Sequence, residues 1–183
     1  METNDLFRAS GATFGDDGRL RLVLMRRWHE DQSTVLYIGH NPSMATATKD
    51  DPTIRAMRHF AKGSGAGRFV VVNLYPFRSS DPAACRLWAA CAENRRFMDQ
   101  NYTEIRRQAR FADTVVACWG ALAQDRAAVD EAVCNVWSAR DDRRVIYCLG
   151  VTASGAPKHP LARGRNRIPR EQQFVPWGFR QAV

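Results

Sequence analysis

The chain has 183 residues, 45% hydrophobic and 25% charged, the proportions of a folded domain rather than of a disordered or membrane-embedded chain. Lys and Arg total 27 against 19 acids, a formal net charge of +8; this favours polyanionic partners, nucleic acid first, although basic proteins also occur without one. The five cysteines are odd in number and have no C-x-x-C spacing, which argues against a disulfide framework and against a zinc site.

No apolar run approaches the roughly 18–20 residues needed to span a bilayer. The opening METNDLFRAS lacks the basic, apolar and small-residue plan of a signal peptide. The expectation is one cytoplasmic, monomeric domain over 1–183, with no membrane partner, no cofactor and no metal.

Residues 6–28 read as a β-hairpin. FRASGATF and RLRLVLMRRW flank Gly15-Asp16-Asp17-Gly18, and Asp-Gly favours hairpin turns. Leu20, Leu22 and Leu24 alternate with Arg21, Val23 and Met25, which predicts one wholly apolar face. STVLYIG (33–39) is the next strand and runs into His40-Asn41-Pro42-Ser43. Asp51 as N-cap and Pro52 in the first turn start a helix. Its Ile54, Met57 and Ala61 share a face, and Gly63 to Gly67 end it.

RFVVVNLYPF (68–77) is a near-continuous apolar strand, suited to a sheet covered on both faces. After SSDPAA a helical region spans about 83 to 110, with Phe97, Asn101, Ile105 and Gln108 on one stripe. DTVVACWG (113–120) is a strand, ALAQDRAAVDEAVCNVW (121–137) a helix and RRVIYCLG (143–150) a strand. Cys118 and Cys148 fall in these apolar runs and read as small buried hydrophobes. The tail is rich in Gly, Pro and Arg, then carries Phe174, Trp177 and Phe179.

Strands alternating with helices predict an α/β fold with a mainly parallel sheet and an N-terminal hairpin beside a core of about 33–178. Ligands of such sheets bind beyond the carboxyl ends of the strands. The loops to watch are therefore 39–50, 73–82, 120–125 and 150–167.

The first loop offers Gly39, His40, Asn41 and Ser43. An Asn side chain donates and accepts, so it can position water, but it is no strong base; Asn-Pro is also an ordinary turn signal. In the second loop Asn73 ends a buried strand, where an amide needs a partner. It either reads a ligand or bonds the neighbouring loop. Tyr75 and Phe77 either stack on a base or belong to the core. Arg78 with Ser79, Ser80 and Asp81 suits phosphate contact or loop bracing. Asp81-Pro82 reads as a helix start. In the last loop His159 stands beside Lys158 and Leu161, followed by Arg163, Arg165 and Arg167, a composition suited to a nucleic-acid backbone or to a solvated basic loop. His29 and His59 read as structural. No G-x-S-x-G, P-loop, G-x-G-x-x-G or H-E-x-x-H occurs.

Taken in order, strand–Gly39-His40-Asn41-Pro42-Ser43, Val70-Val71-Val72-Asn73 and His159-Pro160-Leu161 resemble the uracil-DNA glycosylase superfamily. Its mismatch-specific branch has Gly-x-Asn-Pro-Gly, its uracil branch an apolar strand ending in a base-contacting Asn, and its closing motif His-Pro-Ser before an apolar wedge. No acid stands at the place of Asn41. More closely, about 20 to 178 resembles a bacterial and phage family, domain-of-unknown-function family sixteen-forty-three. The marks include Asn41-Pro42-Ser43, Asp50-Asp51-Pro52-Thr53, Val72-Asn73-Leu74, Arg78, Asp81-Pro82, Trp119-Gly120, Leu149-Gly150 and His159-Pro160-Leu161.

The glycosylase resemblance implies a three-layer sandwich around a mainly parallel sheet. It implies N-glycosidic cleavage with Asn41 positioning water and neutral His159 donating to the base as charge grows. Asn73 would read the base edge, and Tyr75 or Phe77 would stack on it. Leu161 would act as wedge, and Arg78, Lys158, Arg163, Arg165 and Arg167 would hold phosphates. The expected function is base processing on DNA or RNA. A nucleoside- or nucleotide-processing enzyme on small molecules and a catalytically inactive nucleic-acid-binding module stand as alternatives.

Overall fold

Three strands bury both of their faces. In β3 (Thr34–Gly39), Leu36 and Ile38 join one core while Val35 and Tyr37 join another. β4 (Arg68–Asn73) divides Val70 and Val72 from Phe69 and Val71 in the same way, and β5 (Thr114–Ala117) divides Val115 and Ala117 from Val116. Successive strand side chains point to opposite faces, so both cores form from single apolar runs. The structure, a computed structural model, describes residues 10–15, 18–30, 32–42, 45–121, 125–140 and 145–178.

The sheet has seven strands in the order β1–β2–β4–β3–β5–β6–β7. Here β1 is Ser10–Gly15, β2 Leu20–Arg27, β6 Tyr147–Cys148 and β7 Val175–Pro176. The four central strands β4, β3, β5 and β6 are parallel. β1–β2, β2–β4 and β6–β7 are antiparallel. The sheet is therefore mixed, not mainly parallel as the alternation of elements predicts. The hairpin is not an appendage: β2 pairs along β4 from Leu24↔Val71 to Arg27↔Arg68 and closes an edge that would otherwise be open. β7, from the aromatic tail, pairs with β6 at the other side.

The expected strand over 143–150 is reduced to Tyr147–Cys148, with 141–144 outside the described residues. The hairpin turn residues 16–17, the segment 1–9 and Phe179 also lie outside them.

α1 (Pro52–Gly63) packs Ile54, Met57 and Ala61 into the core of Tyr37 and Phe69. α2 (Pro82–Ala90), α3 (Arg95–Phe111) and α4 (Arg126–Ser138) pack into the opposite core. Asp51 caps α1 by accepting from the Ile54 N–H, and Asp81 caps α2 by accepting from Ala83. These caps are what Asp-Pro in sequence predicts. The single helical region expected over 83–110 is broken by a 3-10 turn at Ala92–Asn94. The buried positions of α3 are Met98, Asn101, Ile105 and Ala109, so the true stripe shares only Asn101 and Ile105 with the expected one. α4 begins at Arg126 rather than at 121.

β2 does not present one apolar face. Thr13 pairs with Val23 but Phe14 pairs with Arg21, so Leu22 is an extra residue, a β-bulge. Leu22 and Val23 fall in the same core, and Leu24 falls in the other. Arg21 and Arg26 are both buried. Arg26 bonds Asp50 at 2.7 Å and the carbonyls of Thr46 and Met25, each at 2.8 Å. It thereby ties the 45–50 loop to the sheet.

The connections diverge at β3. The chain leaves β3 through α1 to β4 on one side, then crosses through α2 and α3 to β5 on the other. The carboxyl ends of β3 and β5 thus flank a topological switch point, where open α/β sheets bind ligands.

Removing Asp50 strands the buried Arg26 charge, so Asp50→Ala is expected to cost about 3 kcal/mol or more. Arg26→Met should cost less, because Asp50 keeps Arg58 at 3.2 Å. Urea denaturation of both variants checks the ranking; equal losses would show that the pair does not hold the loop.

Candidate functional site

A pocket of about 260 Å³ opens at this switch point. Its buried floor is formed by Arg21, Ile54, Met57, Val71 and Asn73, with Gly39, His40 and Trp119 also buried. Its more exposed mouth is formed by Asn41, Thr53, Pro82, Gly120, Ala121 and His159. The fold thus brings Gly39, His40, Asn41, Asn73 and His159 together from three separate loops.

Asn73 is 2% exposed. Its register partner is Gly39, and a Cβ there would lie 2.7 Å from Asn73 Oδ1. Glycine at 39 therefore makes room for the Asn73 amide. Its Nδ2 has no hydrogen-bond partner although it is buried. A buried donor without an acceptor is costly, and it belongs to one of the residues that line the pocket. Behind it, Asn101 Nδ2 donates to the carbonyls of Asn73 at 2.9 Å and Leu74 at 3.3 Å. α3 thereby fixes the end of β4.

Asn41 is held at both ends. Its Nδ2 donates to the carbonyls of Ser79 and Pro42, which turns Oδ1 toward His40 Nδ1 at 2.8 Å. His40 Nε2 lies 3.1 Å from Asp125 Oδ2. Both ring nitrogens of His40 thus face side-chain oxygens. Asp125, 1% exposed, also accepts from the Tyr75 hydroxyl at 2.8 Å and lies 3.5 Å from Arg86 Nη1. Burial and the bond to Asp125 push the Tyr75 phenol far above its ordinary value. The chain Asn41–His40–Asp125–Tyr75 is a buried polar network reaching from the pocket mouth into the core.

His159 accepts from the Leu161 N–H through Nδ1 at 3.1 Å. In the neutral ring that bond leaves the proton on Nε2, which is then a donor for the pocket. Burial pushes the His159 pKa below 6.5, against the opposing pull of Asp51 and with help from His40. Arg21 donates to the Ala45 carbonyl at 3.0 Å. Burial lowers its pKa to about 10, with Asp51 opposing the shift, so it stays charged at neutral pH.

Tyr75 and Phe77 do not line the pocket. Tyr75 packs its ring edgewise on His40 at 5.1 Å, and Phe77 stacks on Trp88 at 5.2 Å. The aromatic wall of the pocket is Trp119, itself set edgewise against Trp177. Ser43 lies outside the described residues. Arg78 braces the hairpin, donating to the Gly18 carbonyl at 3.0 Å and lying over the Phe14 ring. The Lys158 stem packs against Gly150. Leu161 is 39% exposed, and Arg163, Arg165 and Arg167 are exposed around a 3-10 turn at Gly164–Asn166.

Sequence reasoning does not single out Arg21, Trp119 or Asp125. The available signals are an arginine between leucines in a strand, a Trp-Gly at a strand end, and an Asp just before an alanine-rich helix, which is N-cap spacing.

The His159 shift has a definite sign. Its folded pKa lies below the unfolded value, so the unfolded chain binds the proton first as pH falls. Stability is unaffected above about pH 6.5 and declines as pH falls from there toward the folded pKa. NMR titration of the His159 ring should give a midpoint below 6.5. The slope of stability against pH in that acidic window should flatten in His159→Ala.

Among the described residues no helix is long and apolar enough to cross a membrane. No curated protein and no solved structure matches the chain. The family model described as "Protein of unknown function (DUF1643)" matches residues 21–161. That span is shorter than the expected 20–178: it begins at Arg21, ends at Leu161, and leaves the first strand and the arginine-rich tail outside. With most of its length matched, the chain belongs to the DUF1643 family.

Proposed function

We propose that this protein processes nucleic-acid bases, cleaving the N-glycosidic bond of a modified or mismatched base in DNA or RNA. The observation that carries the reading is that Asn41, Asn73 and His159 line one pocket. The two cores on either side of the sheet are compatible with a three-layer, uracil-DNA-glycosylase-like architecture.

The gradient of burial suits a nucleotide turned out of its stack. The base would enter toward the Asn73 floor and the sugar would stay at the mouth, beside Asn41. Asn73 Nδ2 would donate to a base carbonyl and gain the acceptor it lacks. Trp119, rather than Tyr75 or Phe77, would supply the stacking wall. Asn41 Oδ1 has a second lone pair beside the one that His40 engages, and would hold water against the sugar carbon. As the C–N bond breaks, its electron pair stays with the base and the water oxygen bonds the sugar carbon. The proton released goes to the departed base. Neutral His159 would donate from Nε2 to the base oxygen while the charge builds. Leu161, two residues on and partly exposed, would fill the gap in the stack, and Arg163, Arg165 and Arg167 would contact phosphates.

The expected outcome is release of free base from oligonucleotides carrying a panel of modified or mismatched bases, read by mass spectrometry. Asn41→Ala and His159→Ala should each lower single-turnover release by about 10²–10³-fold with unchanged circular dichroism. Full activity in both variants would remove this reading. Turnover of free nucleosides without salt-dependent binding to DNA or RNA would favour the small-molecule alternative.

A further inference from the structure

A second cavity, of about 560 Å³, lies at the other end of the sheet, where β3 and β4 begin. Two cross-strand pairs on one sheet face form its floor, Met25 opposite Val70 and Arg27 opposite Arg68. α3 supplies the facing wall through Arg107 and Phe111, four residues apart and so on one side of the helix. None of these residues lines the pocket of Asn41, Asn73 and His159.

Like charges directly opposite each other destabilise a ladder, and Arg27 and Arg68 are both half-buried. Arg27 meets Glu30 at 3.5 Å, but Glu30 is exposed and such pairs contribute little. Arg107 is held by Glu104 at 2.7 Å. Arg68 donates Nε to the Thr34 hydroxyl and makes no ion pair among the described residues. Thr34 is buried, and its N–H donates to Asp113 Oδ2 at 2.7 Å. Its hydroxyl accepts from Arg68, so its own proton is left for a second acceptor. Arg68 and Thr34 both line the cavity.

The walls add stacking surface. Phe111 is 68% exposed, guanidinium planes stack on aromatic rings, and the Met25 thioether makes favourable contacts with them.

We propose that this cavity is a second ligand site, taking an aromatic monocarboxylate. The carboxylate pairs with Arg68 and relieves its repulsion with Arg27, while the ring lies among Met25, Val70 and Phe111. Glu30 and Glu104, which already face two of the three guanidinium groups, oppose a second negative charge on the ligand. The site does not rest on the base-processing reading above.

The test is calorimetric titration of the full chain with 2-naphthoate, and with 2-naphthamide as its uncharged isostere. The wild-type protein should bind 2-naphthoate tighter by about tenfold or more. Arg68→Gln should abolish the preference. Phe111→Ala should weaken both ligands by about threefold or more and keep the preference. Methyl NMR locates the site: Val70 and Met25 should shift with 2-naphthoate, and Ile54 and Met57 should not. Equal binding of the two ligands, a preference that persists in a folded Arg68→Gln, or shifts confined to Ile54 and Met57 overturns the proposal. Decanoate bound as tightly as 2-naphthoate overturns the aromatic class, and naphthalene-2,6-dicarboxylate bound as tightly overturns the limit of one charge. The wild-type comparison and the methyl shifts decide even if Arg68→Gln does not fold.

Discussion

A carboxylate shut away from water sets the terms for the rest of the site. Asp125 must be compensated where it lies, because a buried charge without partners is worth several kcal/mol of destabilisation. Its partners come from three places in the chain: His40 after β3, Tyr75 after β4 and Arg86 from α2. Satisfying one acid therefore draws together the loops that follow two neighbouring parallel strands and fixes the helix behind them. Asn41 inherits its orientation from this arrangement, since the ring that faces Asp125 also faces the amide oxygen.

Buried arginines extend the same logic to the frame. Arg26 gathers the 45–50 loop, and Arg140 donates to the carbonyls of Ala109, Ala112 and Asp113 where α3 gives way to β5. The planar guanidinium carries five donors in fixed directions, so one side chain can answer several loop carbonyls at once. Part of the chain's arginine content thus braces loops inside the fold. Arg163, Arg165 and Arg167, by contrast, are exposed.

Much of this was legible in the sequence, and the pattern of misses has physical causes. Apolar runs ending in Gly or Asn identified β3, β4 and β5, and the Asp-Pro pairs identified two helix starts, because each signal is local. The loops bearing Asn41, Asn73 and His159 could be ranked together because parallel strands carry their carboxyl ends to one edge. The bulge could not be read: Leu22 is neither Gly nor polar, and a bulge is a relation between two strands. Asp125 was hidden inside what looked like the first turns of an alanine-rich helix. Tyr75 and Phe77 read either as stacking surfaces or as core, and the core reading holds because they pack on His40 and Trp88, neighbours that sequence spacing does not encode. The mixed character of the sheet comes from β2 finding β4, a pairing across more than forty residues, and from β7 finding β6.

Asp125 also occupies the N-cap position of α4, yet its side chain makes no capping bond to that helix. Asp is among the best N-cap residues, and a cap contributes about 0.5–2 kcal/mol. Both of its oxygens are instead turned toward His40, Arg86 and Tyr75. The start of α4 is therefore left less stable than its sequence permits, in favour of a network that reaches the pocket. Selection for stability alone would favour a residue here that caps the helix and lets the network go. The orientation of Asp125 marks a position where helix capping and the polar network make opposing demands on a single side chain.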